Sequence, residues 1–274
     1  MGLQEYFVMQ YDKVKDKLAK IIDKYSVFRK LFYLLLDMLL LRQWYVKREI
    51  KKYFTVGNSL RFYDAGAGFG QYSYFILKHF KKATIHAVDL KTDYMDSFAK
   101  YAKKIGWNSF TAKQADLVGY TPKESFDLII AIDILEHIED DEQVLRNFRE
   151  VLDKGGKLII SSPSNFDESA KFTEEHVRPG YSKEEIYSKL ERAGFSIRSF
   201  EYSYGKFGQI YWKLALKYPL SLISKSKILA ILLPIYYIIF YPIAFGFMLL
   251  DYYNKNKIGT GVIVVAEQFG SSII

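Results

Sequence analysis

The chain has 274 residues, half of them apolar, and a net charge of +8. This length accommodates one large α/β domain with additions or two small domains, and the apolar content is ample for a core. The absence of cysteine excludes a disulfide framework, a thiolate zinc site and a cysteine nucleophile, and it fits the reducing cytoplasm. The N-terminal residues lack the order of a secretory signal, so we expect no export.

The positive charge is concentrated in two segments. Residues 1–56 contain 12 Lys and Arg against 6 Asp and Glu, residues 205–257 contain 7 against 1, and the remainder contains 20 against 24. Because both basic segments are also apolar and helix-like, the pattern favours an anionic membrane surface over nucleic acid as a partner. Solvated helix faces are the alternative interpretation.

The first of these segments contains an apolar run. Eleven mostly apolar residues, LFYLLLDMLLL, lie between Lys30 and Arg42. The run is too short to span a bilayer, for which about 20 residues are needed. It predicts a buried or interfacial helix, and we expect residues 1–56 to form a helical lid or membrane-surface segment.

Short apolar strands alternate with helical patterns from residue 59 onward. The predicted strands are LRFYDAG (60–66), ATIHAVDL (83–90), SFTAKQADL (109–117), FDLIIAIDIL (126–135) and GGKLIISSP (155–163). Continuous apolar strands that alternate with helices indicate a mostly parallel sheet with helices on both faces.

Three features of this region suggest a nucleoside site. The turn after the first strand reads DAGAGFG, and its GxGxG spacing differs from the GxGxxG of dinucleotide-binding enzymes. Asp89 ends the second strand, where a carboxylate can accept hydrogen bonds from ribose hydroxyls. Asp116 follows the third strand and can accept a hydrogen bond from the adenine amine. Each aspartate alone could instead cap a helix.

Together with FDLIIAIDILEHIED, GGKLIIS and GYSKEEIYSKLERAGF, these motifs resemble the class I S-adenosylmethionine-dependent methyltransferases. The resemblance covers about residues 58–204 and 258–268. It implies a Rossmann-like seven-stranded sheet, mostly parallel with an antiparallel last strand, and S-adenosylmethionine as cofactor. A nicotinamide-dependent Rossmann enzyme is the nearest rival, but the glycine spacing and the missing second catalytic domain argue against it.

The resemblance also implies roles for individual residues. The glycines would pack under the methionine part of the cofactor, and Asp64 would orient its amino acid end. Asp89 would hold the ribose, Asp116 and Leu117 would border the adenine, and Asp133 would lie beside the sulfur. The implied cofactor-binding set is Asp64, Gly66, Gly68, Gly70, Asp89, Leu90, Asp116, Leu117 and Asp133. No metal is expected.

Two histidines are candidate general bases. His137 follows the fourth strand, and His176 lies in a loop after the fifth strand that overhangs the acceptor in similar enzymes. A histidine titrates near neutrality, which suits proton abstraction from an acceptor. Either could instead bridge or cap loops.

An insertion separates the last two predicted strands. In the family, the strands at 195–204 and 260–268 are antiparallel neighbours, so residues 205–257 would leave and return on the same side of any membrane. The uncharged run 228–250 is long enough to cross once, but two crossings need about 40 apolar residues. Lysines interrupt the preceding part, so we expect no crossing, and Pro234 and Pro242 predict broken helices.

These observations predict three parts: an N-terminal helical segment (1–56), a methyltransferase domain (57–204 plus 258–274), and an apolar, basic helical insertion (205–257). The leading hypothesis is methyl transfer to a lipophilic acceptor, such as a quinone, an isoprenoid, or a fatty-acyl or lipid-linked molecule. The enzyme would be cytoplasmic and peripheral at the inner face of the membrane. The alternatives are a soluble enzyme for a polar metabolite or glycan whose apolar lid forms a homodimer, and a non-catalytic cofactor-binding module. Nucleic acid is not expected as a substrate.

Overall fold

A seven-stranded mixed sheet forms the centre of the protein. The computed structural model describes residues 26–91, 93–166, 177–225 and 231–269. The strands are β1 (Ser59–Ala65), β2 (Lys82–Asp89), β3 (Phe110–Gln114), β4 (Phe126–Ile132), β5 (Leu152–Pro163), β6 (Phe195–Ser203) and β7 (Gly261–Gln268), in the order β3-β2-β1-β4-β5-β7-β6. Only β7 is antiparallel to its neighbours, which confirms the predicted Rossmann-like fold.

Helices cover both faces of this sheet, as the apolar strands require. They are α1 (Ser26–Leu39), α2 (Leu41–Tyr53), α3 (Gln71–His79), α4 (Asp93–Lys104), α5 (Asp141–Val151) and α6 (Lys183–Arg192). Two buried clusters lie on opposite faces because side chains alternate along each strand. Phe62 and Leu128 belong to one cluster, and Tyr63 and Ile129 belong to the other.

The pairing of the last two strands confirms a central expectation from the sequence. Phe195 is paired with Gln268 and Ser203 with Gly261, in antiparallel register. The segment between Ser203 and Gly261 therefore leaves and re-enters the sheet at the same end. Because the carboxyl end of β6 lies beside those of the other parallel strands, the insertion is attached at the edge of the sheet where ligands of α/β proteins bind.

The insertion is a helical hairpin. Its first arm consists of α7 (Lys206–Trp212), a π-helical turn (Lys213–Lys217) and α8 (Tyr218–Lys225). Its second arm is the single helix α9 (Leu233–Tyr253).

The expected break at Pro242 is wrong, because α9 is continuous through this residue. Hydrogen bonds from two tyrosines on the N-terminal side of Pro242 anchor the helix to the rest of the protein. The Tyr237 hydroxyl donates to the carbonyl of Ala215 at 3.0 Å, and the Tyr241 hydroxyl donates to the carbonyl of Met38 at 2.8 Å. Pro242 itself is exposed, so the lost helical hydrogen bond faces away from the domain.

A buried carboxylate joins the hairpin to the domain. Asp251, near the end of α9, is fully buried and accepts hydrogen bonds from the backbone N–H groups of Tyr204 and Gly208 at 3.1 and 2.9 Å. It also accepts from the Tyr45 hydroxyl and the Asn256 amide. Four donors from separate segments satisfy the charge, which a buried carboxylate requires.

The outer parts of the hairpin and of α1 expose large apolar side chains. They recur at helical spacing at Ile235, Ile238, Ile239 and Ile243 of α9 and at Ile231 just before it; on α1 they recur at Val27, Leu31, Leu34, Leu35 and Met38. We call these two stripes the apolar face. In the described part of the chain, α9 is the one helix long and apolar enough to cross a membrane, and only 11% of its most apolar window is buried.

Candidate active site

The glycine turn after β1 has the backbone geometry that the sequence predicts. Gly66, Gly68 and Gly70 all have positive φ, at 76°, 49° and 73°. A Cβ at Gly66 would lie 2.9 Å from Cγ1 of Ile134, whereas a Cβ at Gly68 would meet no atom within 4 Å. Gly66 is therefore required by close packing as well as by φ, and Gly68 borders open space where a ligand can approach the backbone.

Asp64 lies under this turn. It is buried, and the Ser73 hydroxyl donates to its Oδ2 at 2.6 Å. Burial raises the pKa of Asp64 to about 7, although the Ser73 hydrogen bond opposes this rise. The carboxyl is therefore poised to gain or lose its proton near neutral pH, and its charge state can respond to a positively charged ligand group.

The other predicted acids lie at the carboxyl ends of neighbouring strands. Asp89 ends β2, is half-buried, and accepts from the N–H groups of Gly68 and Lys91, both at 2.9 Å. Asp116 follows β3, is exposed, and accepts from the N–H of Val118 at 2.9 Å. Both carboxylates thus lie at one edge of the sheet and shape the loops around them.

Leu90 and Leu117 complete this edge. Leu90 is exposed beside Asp89, whereas Leu117 is buried beside Asp116. The Asn147 amide donates to the carbonyls of Leu117 and Val118, both at 2.9 Å. Asn147 therefore fixes the loop that is expected to border the adenine, a role that sequence reasoning missed because Asn147 lies on α5, distant in the chain.

These residues fit S-adenosylmethionine. The open space at Gly68 provides room above the backbone, and Asp89 and Asp116 offer carboxylate oxygens at the surface of the same edge. Ribose hydroxyls and an exocyclic amine are donors, which carboxylates accept. The chemistry of the donor set therefore matches the nucleoside part of the cofactor.

The N-terminal helices cover the glycine turn. The Tyr33 hydroxyl donates to the carbonyl of Phe69 at 2.6 Å, and the Phe32 and Phe69 rings lie 5.3 Å apart. Arg29 bonds to Ser97 on α4. Helix α1 thus closes one side of the predicted cofactor site.

A cavity of about 660 Å³ lies next to this site, between the sheet and the hairpin. Its floor is formed by Ser161, Ser162 and Gly261 at the ends of β5 and β7, and Trp212 and Lys213 of the hairpin form one wall. The volume is within the range of about 300–1,000 Å³ that is typical of small-molecule sites.

Asp133 connects the cavity to the predicted cofactor site. It follows β4 directly, has a φ of 49°, and lines the cavity. Arg42 of α2 forms an ion pair with it. Tyr204 also lines the cavity, with a φ of 52°, and its hydroxyl accepts from the N–H of Arg42 at 3.2 Å.

Backbone strain is therefore concentrated at this cavity. Asp133 and Tyr204 are the two non-glycine residues with positive φ among the described residues, and both line it. Aspartate tolerates this conformation, but it is uncommon for tyrosine. Such strain costs on the order of 1–3 kcal/mol and clusters at functional sites.

A buried acid lies behind the cavity wall. The Ser162 hydroxyl donates to Glu136 at 3.0 Å, and Glu136 is almost fully buried. Burial raises the pKa of Glu136 above its ordinary range. The pair offers a route for a proton from the cavity wall to a carboxyl that readily holds it.

Of the two predicted bases, the structure describes only His137. His137 is half-buried in the turn Leu135–His137, next to Glu136, but it is not among the residues that line the cavity. His176 lies outside the described residues. Their roles as bases remain predictions.

Arg178, in the same loop as His176, acts as a brace for the turn after β4. Its guanidinium donates to the carbonyls of Leu135 and Ile138, both at 2.8 Å. These bonds hold the segment that carries Asp133, Glu136 and His137.

Comparisons with known proteins agree with this geometry. Residues 63–158 match a family model described as a methyltransferase domain. A curated relative, phosphoethanolamine N-methyltransferase 1 of Arabidopsis thaliana, is 31% identical over 173 residues, which are 60% of this chain and 33% of that protein. The chain spans less than half of the length of each curated relative that it matches.

Solved structures share the fold. Phosphoethanolamine N-methyltransferase 2 of Haemonchus contortus, in complex with S-adenosyl-L-methionine, has a TM-score of 0.57 and 19% identity over 80% of this chain and 51% of that chain. A protein of Galdieria sulphuraria described as a sarcosine dimethylglycine methyltransferase has a TM-score of 0.58 and 16% identity over 81% and 82%. The family match and the shared fold identify the region around residues 63–158 as a methyltransferase domain of the class I fold, whose cofactor is S-adenosylmethionine.

Proposed function

We propose that this methyltransferase transfers the methyl group of S-adenosylmethionine to a lipophilic small molecule that it meets at a membrane surface. The cofactor supplies an activated methyl group, and the contribution of the protein is to align the acceptor in a dry pocket. The observation that carries the proposal is the apolar face next to a cavity that opens beside Asp133.

The apolar face is hard to reconcile with free exposure to water. Monomeric soluble proteins rarely expose large contiguous apolar patches, and such patches mark membrane or protein interaction sites. The hydrogen bond from Tyr241 to Met38 places the end of α1 against the middle of α9, so the two stripes are neighbours. Basic residues are enriched in both segments, which favours an anionic surface.

The hairpin would lie on or dip into one leaflet without crossing the membrane. Both of its ends return to β6 and β7 of one sheet, so a crossing by α9 would require a second crossing by residues 206–225. That arm carries Lys206, Lys213 and Lys217, which makes a crossing costly. The protein would therefore be peripheral, at the cytoplasmic face of the membrane.

Within the cavity, the chain itself would bind and deprotonate the acceptor. Arg42 and Tyr204 hold Asp133 and the cavity wall in place. Ser162 and Glu136 would take the proton from an acceptor that must lose one. The hairpin would exclude water from above, because its Trp212 and Leu216 line the same cavity.

A second candidate is a soluble methyltransferase for a polar acceptor, with the apolar face buried in a homodimer. It is favoured by one finding: the Arabidopsis relative is named for phosphoethanolamine, which is charged and water-soluble. Dimerisation would cover α1 and α9 equally well.

Sedimentation with anionic vesicles separates these candidates. We expect Ile238→Ser to weaken vesicle binding about tenfold or more, because full burial of such a side chain contributes about 1.5–3 kcal/mol. Ile238 is 75% exposed, so the stability of the protein should change little. Val56→Ser, at a site 61% exposed outside the apolar face, is the matched control and should bind like the wild type.

The second candidate would be favoured if the protein does not bind vesicles and sediments as a dimer. In that case Ile238→Ser should shift the dimer to a monomer. Calorimetry with S-adenosylmethionine tests the cofactor site in the same preparations. A protein that fails to bind the cofactor would contradict both candidates, whereas one that binds it but transfers no methyl group would be the non-catalytic cofactor-binding module.

A further inference from the structure

The hairpin wall of the cavity carries positive charge that methyl transfer itself does not explain. Three cations line the cavity, Arg42, Lys213 and Lys217, against a single carboxylate, Asp133. Arg42 is paired with Asp133. Neither lysine forms an ion pair with any residue that the structure describes, so within the described residues no carboxylate compensates these two positive charges.

The two lysines lie at the ends of the π-helical turn Lys213–Lys217. Residues four apart lie on one side of a helix, so their like charges repel each other. π-Helical turns are rare and occur frequently at functional sites. An anion bound between the two lysines would offset the repulsion between their ammonium groups.

The same wall is apolar immediately beside the lysines. Trp212 and Leu216 line the cavity from the same arm of the hairpin, and Leu40 lines it from the N-terminal helices. Lys217 Nζ lies 5.8 Å from the centre of the Trp212 ring. Charge and apolar surface therefore alternate over a few ångströms, which is complementary to an amphiphile with a charged head and an apolar chain.

We propose that the cavity selects acceptors that carry an oxyanion, a phosphate or a carboxylate, on an apolar chain, and that Lys213 and Lys217 are its specificity-determining residues. This inference rests on the proposed function, since it narrows the lipophilic acceptor to an anionic amphiphile. The head group binds between the lysines, and the reactive atom lies towards Asp133, which lines the same cavity.

Calorimetric titrations of the full chain, loaded with S-adenosylhomocysteine, test the inference without turnover. The probes are decyl phosphate, decanoate and decanol, which share one chain and differ in the head group. We expect the wild type to bind at least one of the two anions more than tenfold tighter than decanol, and the preference to fall with salt. The ratio of the affinities for decyl phosphate and decanoate shows whether the site prefers a phosphate or a carboxylate.

The double variant Lys213→Gln/Lys217→Gln should bind decyl phosphate, decanoate and decanol within about threefold of one another. Lys81→Gln/Lys82→Gln removes the same charge from exposed positions at the start of β2, at the opposite end of the sheet, and should keep the wild-type preference. Equal affinities in the wild type, or an unchanged preference in the double variant, would overturn the proposal.

Two readouts separate this proposal from the function on which it rests. S-adenosylhomocysteine affinity, measured in the same samples, should be the same in all three proteins; its absence would refute the methyltransferase function itself. If the double variant loses binding to anionic vesicles but retains its preference for decyl phosphate, the lysines serve lipid head groups and the proposed selectivity is wrong.

Discussion

Two parts of this protein are built in different ways. We call β1–β4 with the loops that follow them the cofactor half, and α7–α9 with the π-helical turn the hairpin half. The cofactor half depends on backbone geometry and on carboxylates at the ends of adjacent strands, as at Gly66 and Asp89. The hairpin half depends on side chains that meet across long stretches of sequence, as Asp251 of α9 and Tyr45 of α2 do. The first arrangement suits a constant ligand, and the second allows the acceptor to change without altering the sheet.

The largest effect should come from the glycine turn. Gly66→Ala adds strain of about 1–3 kcal/mol at positive φ and a similar overpacking cost against Ile134, since the new Cβ would lie 2.9 Å from that side chain. We expect S-adenosylhomocysteine affinity to fall more than a hundredfold, and the free energy of unfolding to fall with it. Calorimetry and chemical denaturation measure the two quantities.

Gly106→Ala is the matched control for that variant. Gly106 also has positive φ, 82°, but a Cβ there would meet no atom within 4 Å. It should lose stability through strain alone and retain cofactor binding. Equal losses of cofactor affinity in both variants would show that packing against Ile134 does not shape the site.

Asp64 makes the stability of the cofactor half depend on pH. Its pKa is raised to about 7 from 3.8, so the folded state holds a proton that the unfolded state releases. The stability from this proton is fully present below about pH 4 and is lost as the pH rises through about 7, by up to about 4 kcal/mol. In denaturation experiments, Asp64→Asn should therefore gain free energy of unfolding relative to the wild type, and this gain should grow as the pH rises across this interval.

Asp116→Asn provides the comparison, because it replaces an exposed carboxylate and should change the free energy of unfolding by less than about 0.5 kcal/mol. If the free energies of unfolding of Asp64→Asn and the wild type differ by the same amount from pH 4 to pH 8, that result would contradict the raised pKa of Asp64.

A smaller effect, confined to the hairpin half, is expected at Asp251. Asp251→Asn replaces an acceptor with a donor opposite the N–H of Tyr204 or Gly208, and we expect a loss of about 1.5–3 kcal/mol. Hydrogen exchange should accelerate in residues 206–225 and 233–253 while β1 and β4 remain protected. Asp37→Asn breaks only a half-exposed pair with Lys47 and should cost less than about 1 kcal/mol.

Uniform acceleration across the whole chain in Asp251→Asn would mean that the two halves unfold as one unit. In that case the hairpin is part of the cooperative core, and the contrast between the halves applies only to ligand binding.

The two halves also differ in how far the sequence predicts them. The strands, the glycine turn and the acids at the strand ends are local patterns, so they could be placed before the structure was known. The pairing of β6 with β7 followed from the family resemblance. Arg42 and Tyr204 carry no such local signal, because their roles exist only once α2 and the end of β6 meet at the cavity.

The continuity of α9 shows the same limit. Proline in a helix interior predicts a break from local chemistry, but α9 continues through Pro242, and tertiary hydrogen bonds from Tyr237 and Tyr241 anchor the helix just before this residue. The bracing of the turn after β4 by Arg178 is likewise invisible in the local sequence, because the two segments are about 40 residues apart.

The most direct test of the account follows a radioactive methyl group from S-adenosylmethionine. The purified chain is incubated with a cell extract that has been divided into its lipid and aqueous fractions, and the label is then partitioned between organic solvent and water. The account predicts label in the organic phase, from the lipid fraction, and its loss with Gly66→Ala. Label transferred only to water-soluble molecules of the aqueous fraction would contradict it.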